Sequence, residues 1–298
     1  ELHRLEHELE VTPAIERQHV TDELVKAREE LNRAPQVKEF HDSLAKLEEF
    51  QTEDFYEIFK IMEGLPVVIR LLDAPLHEFL PHFDQLNADV AVLQEHGAKD
   101  KERLLREKEE VLQLVETLRE VNPMMGHRGC RVGLTMPEIY EMQVRAIVTA
   151  AARLLAEGYQ IHPEVMIPVV SHVNEVVRLR KQLDAIAAET IDNLKANVTY
   201  EFGTMIEVPR AALTAGKIAE EVEFFSFGSN DLTQMTYAFS RDDAEAKFLR
   251  DYLTEEILPE NPFESLDVDG VGELMRIASR EGRAVKPDLK IGICGEHG

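Results

Sequence analysis

The sequence predicts an α/β protein, a (β/α)8 TIM-type barrel truncated at both ends and preceded by helices. Three observations carry that expectation. Short apolar runs rich in β-branched or aromatic residues alternate with helix-length amphipathic segments from about residue 63 onward, the pattern of parallel strands joined by crossover helices. Polar and acidic residues repeatedly follow the C-terminal ends of those runs, the rim on which such barrels do their chemistry. The 298 residues also suffice for one barrel of roughly 250 residues with an appendage.

In chain order, residues 1–62 mix Glu, Lys and Arg with Leu, Val and Phe at helical spacing and hold no glycine before Gly64. That pattern predicts consecutive amphipathic helices with solvated charged faces. The division drawn is a helical segment over 1–62 and the barrel portion over 63–298. LPVVIRLLD, residues 65–73, reads as a buried parallel strand, and APLHEFLP after it as a rim loop. Lys99 to Val121 is helical again, with Leu104, Leu105, Val111, Leu112, Val115 and Leu118 on its apolar side. NPMMGHRGCRVGL, residues 122–134, is too rich in glycine for a helix. Beyond it, helix-like 137–157 and 172–194 alternate with strand-like 164–170, 202–208, 222–228 and 289–294. The count is six candidate strands against eight in a closed barrel. Because the chain stops at Gly298 just after the loaded strand end ICGEHG, the expectation is a piece lacking one strand at each end.

Composition narrows the partners. A net charge of −24 repels polyanions, which excludes nucleic acid and anionic membrane surfaces as general partners. An anionic substrate would need a local cluster of arginines. The two cysteines, Cys130 and Cys294, lie in separate glycine-containing motifs without disulfide or zinc spacing, which points to a reducing, cytoplasmic compartment. The charged start ELHRLEHELE is no signal peptide, and no segment reaches membrane-spanning length.

The densest chemistry lies between Phe202 and Asp231. Glu207 and Asp231 each end an apolar run and precede a helix-like segment, so a divalent cation could sit between them. Carboxylate oxygens suit magnesium or manganese, which keep positions open for water and an anionic substrate. Either acid alone could instead be a helix cap or a first-turn acid. Gly228, Ser229 and Asn230 add a polar loop beside them. Arg70 interrupts an apolar strand and needs an anionic partner, either a substrate or a structural acid such as Asp73. Arg128 and Arg131, among Gly126, Gly129 and Gly133, could grip phosphate or carboxylate bidentately, with one of the two serving structure. On context alone Cys130 and Cys294 are small buried hydrophobes. His77, His82 and His172 show no ligand spacing.

These motifs resemble, in order, the C-terminal phosphoenolpyruvate/pyruvate-binding barrel of pyruvate phosphate dikinase and its relatives that use phosphoenolpyruvate. The resemblance runs through GLPVVIRLLDAPLHEFLP at 64–81, NPMMGHRGCRVGLTMPEIYEMQVRAI at 122–147, GTMIEVPRAAL at 203–213, FFSFGSNDLTQMTYAFSRDD at 224–243 and KIGICGEHG at 290–298. GHRGCR followed by EIYEMQ looks more like the dikinase than phosphoenolpyruvate synthase or the first enzyme of the sugar phosphotransferase system. The first 60 or so residues match least.

The resemblance implies roles. Arg70 and Arg128 match arginines that bind phosphoenolpyruvate, Glu207 and Asp231 match magnesium ligands, and Gly228, Ser229 and Asn230 match the substrate loop. Cys294 matches the acid that protonates the enolate, reversing the bland reading of that thiol. Arg241, in FSRDD, matches a further phosphate-side arginine. Ser229 stands where the family carries threonine and keeps the hydroxyl. The resemblance further implies Mg2+ as cofactor, phosphoenolpyruvate and pyruvate as ligands, and a homodimeric full-length chain with a phosphohistidine domain and an ATP-binding domain. No glycine-rich nucleotide loop or phosphohistidine motif occurs here, so this chain alone is not expected to use ATP. The competing readings are a metal-dependent lyase on a similar barrel, against which Cys294 argues, and a non-catalytic assembly fragment.

Overall fold

A computed structural model describes residues 17–32, 35–95, 101–120 and 122–298. The expected helical positions 1–16, 33–34, 99–100 and 121 lie outside the described residues. The chain begins with α1 (Arg17–Asn32) and α2 (Pro35–Ile61), then enters β1 (Pro66–Arg70). Next come α3 (Phe83–Glu95), α4 (Glu102–Leu118), α5 (Cys130–Thr135) and α6 (Pro137–Ala156). The regular alternation follows, with β2 (His162–Ile167), α7 (Val173–Leu194), β3 (Glu201–Ile206), α8 (Pro209–Leu213), α9 (Ala215–Ala219) and β4 (Phe224–Gly228). The last elements are α10 (Ser229–Tyr237), α11 (Arg241–Lys247), α12 (Leu249–Thr254), α13 (Val271–Val285) and β5 (Lys290–Cys294).

All five strands pair in parallel, and their order in the sheet is their order in the chain, β1-β2-β3-β4-β5. A doubly wound open sheet reverses direction at a switch point, whereas a barrel adds each strand beside the last. The sheet is a curled arc of a TIM-type barrel. β2, β3 and β4 are buried over nearly their whole length, so both faces of each are covered and their sequences run apolar without alternation. β1 and β5, at the edges, are more open.

Two expectations are corrected. The described residues contain five strands, one at each of the five strand-like runs named above, and not the six counted. The glycine-rich segment is not free of helix either: a 3-10 turn occupies Pro123–Met125, and Cys130–Thr135 is α-helical. Gly133 sits inside that helix because the Tyr140 ring packs onto it, and a Cβ there would come within 2.3 Å of Cδ2 of the ring. It serves close packing rather than a loop.

The outer layer explains how the N-terminal helices attach. α6 is buried along most of its length, with Tyr140, Val144, Ile147, Ala151 and Leu154 facing the core. α2 packs lengthwise against α6, and α7 flanks α6. Arg145 to Glu48 at 2.9 Å, Arg153 to Glu53, and the Tyr56 hydroxyl to the Glu157 carboxylate at 2.8 Å stitch α2 to α6. At the N-terminal end of the strands, the Lys290 ammonium binds Glu164 and Glu201 and lies 5.3 Å from the centroid of Phe224. Met166, Met205 and Phe224 fill the space above that ion triplet, with Cys294 packed against them on the side of the C-terminal rim.

Candidate functional site

The C-terminal rim is assembled from loops that tie one another down. After β1 the chain is held by α6: the Leu72 N–H donates to Oε1 of Gln143 at 2.8 Å, and the Tyr140 hydroxyl donates to the Leu72 carbonyl at 2.9 Å. That anchoring places Asp73, which is buried, on the rim. After β2, Val169 adopts φ 59°, a left-handed conformation uncommon for a β-branched residue. The strain has a visible use, because it turns the Val169 N–H onto Oε1 of Glu207 at 2.6 Å while its carbonyl accepts from the Cys130 thiol at 3.3 Å. The Cys130 N–H donates to the Pro168 carbonyl at 3.2 Å, so the GHRG loop rides on the loop after β2.

Arg128 stands at the centre. Its Nε and Nη2 donate to Oδ1 and Oδ2 of Asp73 at 3.0 and 2.7 Å, and its Nη1 and Nη2 donate to Oδ1 and Oδ2 of Asp231 at 3.1 and 3.0 Å. Nη1 also reaches the Met124 carbonyl at 3.3 Å. Arg70, half exposed, brings Nη1 within 3.4 Å of Oδ2 of Asp73. Carboxylate oxygens of Asp73, Glu207 and Asp231 lie within 4.8 Å of one another.

The acids are not acting as helix caps. Val208, not Glu207, is the N-cap of α8, and the Glu207 carboxylate turns inward to Val169. Asp231 does lie in the first turn of α10, but its two oxygens go to Arg128. Burial raises the Glu207 pKa from 4.5 to about 8, with Asp231 and Asp73 adding to the rise; the Val169 N–H and Arg128 oppose it. Burial works against the charge of Arg128, yet Asp73 and Asp231 hold its pKa above the ordinary value. Three carboxyl groups against Arg70 and Arg128 leave the centre one negative charge in excess once Glu207 is ionised, and the burial of Glu207 opposes that ionisation. Hard oxygen donors so disposed, Glu207 and Asp231 among them, fit a magnesium-like cation.

Gly228 makes room for this arrangement, since a Cβ there would fall 2.1 Å from Oε2 of Glu207. On the far side, the Ser229 hydroxyl donates to the Cys294 carbonyl at 3.0 Å, and Oδ1 of Asn230 accepts from the Glu296 N–H at 3.2 Å. The Cys294 thiol is partly exposed, 3.4 Å from the Phe227 carbonyl and 3.6 Å from the Ser226 hydroxyl.

Not every expected residue joins the centre. Arg241 pairs with Glu245 and Glu296, each at 3.2 Å, and lies over the Phe263 ring, so it meets the site only through the segment that carries Glu296. Arg131 donates to the Gly126 carbonyl at 2.6 Å and holds the GHRG loop, which makes it the structural arginine of that pair. Cys130 is fully buried, and burial pushes its thiol well above the ordinary range. His172 caps α7 in a capping box with Glu175. His82 is exposed, and the His77 side chain lies outside the described set. Sequence reasoning treated Asp73 only as a partner for Arg70, although its spacing in RLLD at the end of β1 was visible. Nothing in the sequence signals the backbone of Val169.

A family model described as PEP-utilising enzyme, PEP-binding domain, matches residues 20–298. The pyruvate, phosphate dikinase of Entamoeba histolytica is 52% identical over 256 residues, covering 86% of this chain and 29% of that protein. Pyruvate, phosphate dikinase 2 of Zea mays is 46% identical over 278 residues, covering 93% and 30%. The pyruvate, phosphate dikinase of Rhizobium meliloti is 48% identical over 284 residues, covering 95% and 30%. The chain thus spans less than a third of the length of these relatives.

Proposed function

This chain belongs to the PEP-utilising enzymes, matching their PEP-binding domain, and from that membership we propose that it carries the phosphoenolpyruvate/pyruvate half-reaction of a pyruvate phosphate dikinase. The observation that supports the reading most is the Arg128 guanidinium held beside Glu207 and Asp231 on the C-terminal rim, with Arg70 alongside. In this reading residues 63–298 form the catalytic domain, and residues 1–62 a helical segment attached to it. The phosphoryl acceptor is a histidine on a phosphohistidine domain, ATP binds a further domain, and the full-length chain is a homodimer in a reducing, cytoplasmic compartment.

Arg70 and Arg128 bind the phosphoryl oxygens and neutralise them as the P–O bond of phosphoenolpyruvate breaks and the P–N bond to the histidine forms. Glu207 and Asp231 would hold Mg2+, which would supply Lewis acidity toward the anionic oxygens of the substrate. Asn230, with Oδ1 engaged by Glu296, has amide hydrogens suited to the substrate carboxylate, and the backbone of Gly228 and Ser229 shapes the loop around it. Cys294 donates a proton to the methylene carbon to complete pyruvate, and in reverse its thiolate removes a methyl proton. Its place among Met166, Met205 and Phe224 gives that transfer an apolar wall. Arg241 contributes phosphate-side charge after exchanging Glu296 for the anion. A proton donor at Cys294 separates this reaction from that of a carbon–carbon lyase.

The test is calorimetric titration of oxalate, a planar mimic of the pyruvate enolate, with and without magnesium. Binding that needs both magnesium and Glu207, and that disappears in Glu207→Gln, is the expected result. Magnesium-independent binding, or none in a folded sample, would reject the reading.

A further inference from the structure

A guanidinium has five N–H donors, and Arg128 directs all of them to protein acceptors: two to Asp73, two to Asp231 and one to the Met124 carbonyl. In that state it has nothing left for a phosphoryl oxygen. One carboxylate must let go before Arg128 can bind an anion, and the two are not equivalent.

Asp73 is the more deeply held, with a side chain 4% exposed against 13% for Asp231. Its segment is pinned from α6 by Gln143 and Tyr140. Gly129, at φ 58°, presses against it so closely that a Cβ would come within 3.0 Å of Oδ1. Its Oδ2 serves two arginines, Nη2 of Arg128 at 2.7 Å and Nη1 of Arg70 at 3.4 Å. Among the described residues Asp231 is paired with one arginine, Arg128, and neighbours Glu207.

Resting on the function proposed above, we propose that Asp73 is the positioning residue of this site and not a metal ligand. It keeps the Nε/Nη2 edge of Arg128 and the Nη1 group of Arg70 on one buried carboxylate throughout. Asp231 gives up the opposite edge when it turns to a cation. That release frees one Nη1 and one Nη2 hydrogen, side by side, which is the fork that binds two oxygens of a phosphoryl group. Cation binding at Asp231 and anion binding at Arg128 are thereby coupled, with Asp73 as the fixed point.

The experiment measures Mn2+ affinity by electron paramagnetic resonance and phosphoenolpyruvate affinity by calorimetry at saturating Mn2+, on the unaltered protein, Asp73→Asn, Arg128→Gln and the double variant. Asp73→Asn is expected to change Mn2+ affinity by less than roughly threefold and weaken phosphoenolpyruvate by about tenfold or more, with little further loss once Arg128 is already Gln. Loss of Mn2+ binding as complete as in Glu207→Gln would make Asp73 a ligand and overturn the proposal. Unchanged phosphoenolpyruvate affinity, or an equal loss in the Arg128→Gln background, would overturn it as well. Failure of the unaltered protein to bind phosphoenolpyruvate would instead sink the proposed function, and this inference with it. Should Asp73→Asn not fold, the 15N resonance of the Arg128 Nε–H in the unaltered protein decides: persistence on adding Mg2+ and phosphoenolpyruvate supports Asp73 as the fixed partner, and its loss refutes it.

Discussion

Replacing Glu207 by Gln removes a charge that the fold accommodates at a cost, so the variant should be more stable than the parent, and increasingly so as pH rises. Gln keeps the volume and retains an oxygen to accept the Val169 N–H now held at 2.6 Å. Burial, reinforced by Asp231 and Asp73, raises the Glu207 pKa from 4.5 to about 8. The folded protein therefore holds this proton more tightly than the unfolded chain, which is the reverse of a salt-bridged acid. Below pH 4.5 both states are protonated and the ionisation costs nothing. Between 4.5 and 8 the unfolded chain loses the proton first and the folded state falls behind. Above 8 the penalty is complete. At 1.36 kcal/mol for each tenfold change in proton affinity, the penalty is about 3 kcal/mol at pH 7 and approaches about 5 kcal/mol above pH 8.

Urea unfolding followed by circular dichroism at a series of pH values should show the difference between variant and parent growing across that window. Subtracting the two curves removes every group that they share. Saturating magnesium should narrow the gap, because only the parent gains from the ion. A difference that stays constant from pH 4 to 9 would refute the reasoning, since it would mean that Glu207 titrates normally.

Other outcomes are as definite. Cys294→Ala should leave magnesium-dependent oxalate binding nearly intact and stop exchange of the pyruvate methyl protons with deuterium, followed by NMR; retained exchange would remove Cys294 from the role of acid. Arg128→Lys should destabilise the fold by about 1.5–3 kcal/mol in thermal or urea unfolding, because an ammonium keeps the charge but cannot make the bidentate contacts to both Asp73 and Asp231. Gly228→Ala should cost about 1–3 kcal/mol, as its methyl group would displace Glu207, and should weaken metal binding by calorimetry. Alkylation of the folded protein should label Cys294 and spare Cys130, whose thiol is buried and held above the ordinary range.

Much of the sheet was legible in the sequence because strands buried on both faces must be apolar throughout. The runs at 164–170, 202–208 and 222–228 therefore stood out, and β2, β3 and β4 overlap them, β2 and β3 starting one or two residues earlier. The run at 65–73 was read too long: β1 ends at Arg70 because Gln143 and Tyr140, some 70 residues later, capture the backbone at Leu72. The glycine-rich segment at 122–134 departs from its reading for a similar reason. Glycine at 133 answers to the Tyr140 ring, a contact that composition does not reveal.

The sequence by itself determined that acids, arginines and a cysteine would gather on one rim, since parallel strands in chain order place every strand end on the same side. Which arginine meets which acid was decided only in three dimensions. Arg128 is 55 residues from Asp73 and 103 from Asp231, yet it binds both bidentately. Arg241, in an equally suggestive motif, turned instead to Glu245 and Glu296. The distinction rests on burial. A guanidinium removed from water must satisfy all five donors, so its partners are set by whichever carboxylates the closing loops deliver to it. An arginine left at the surface pairs with its nearest neighbours.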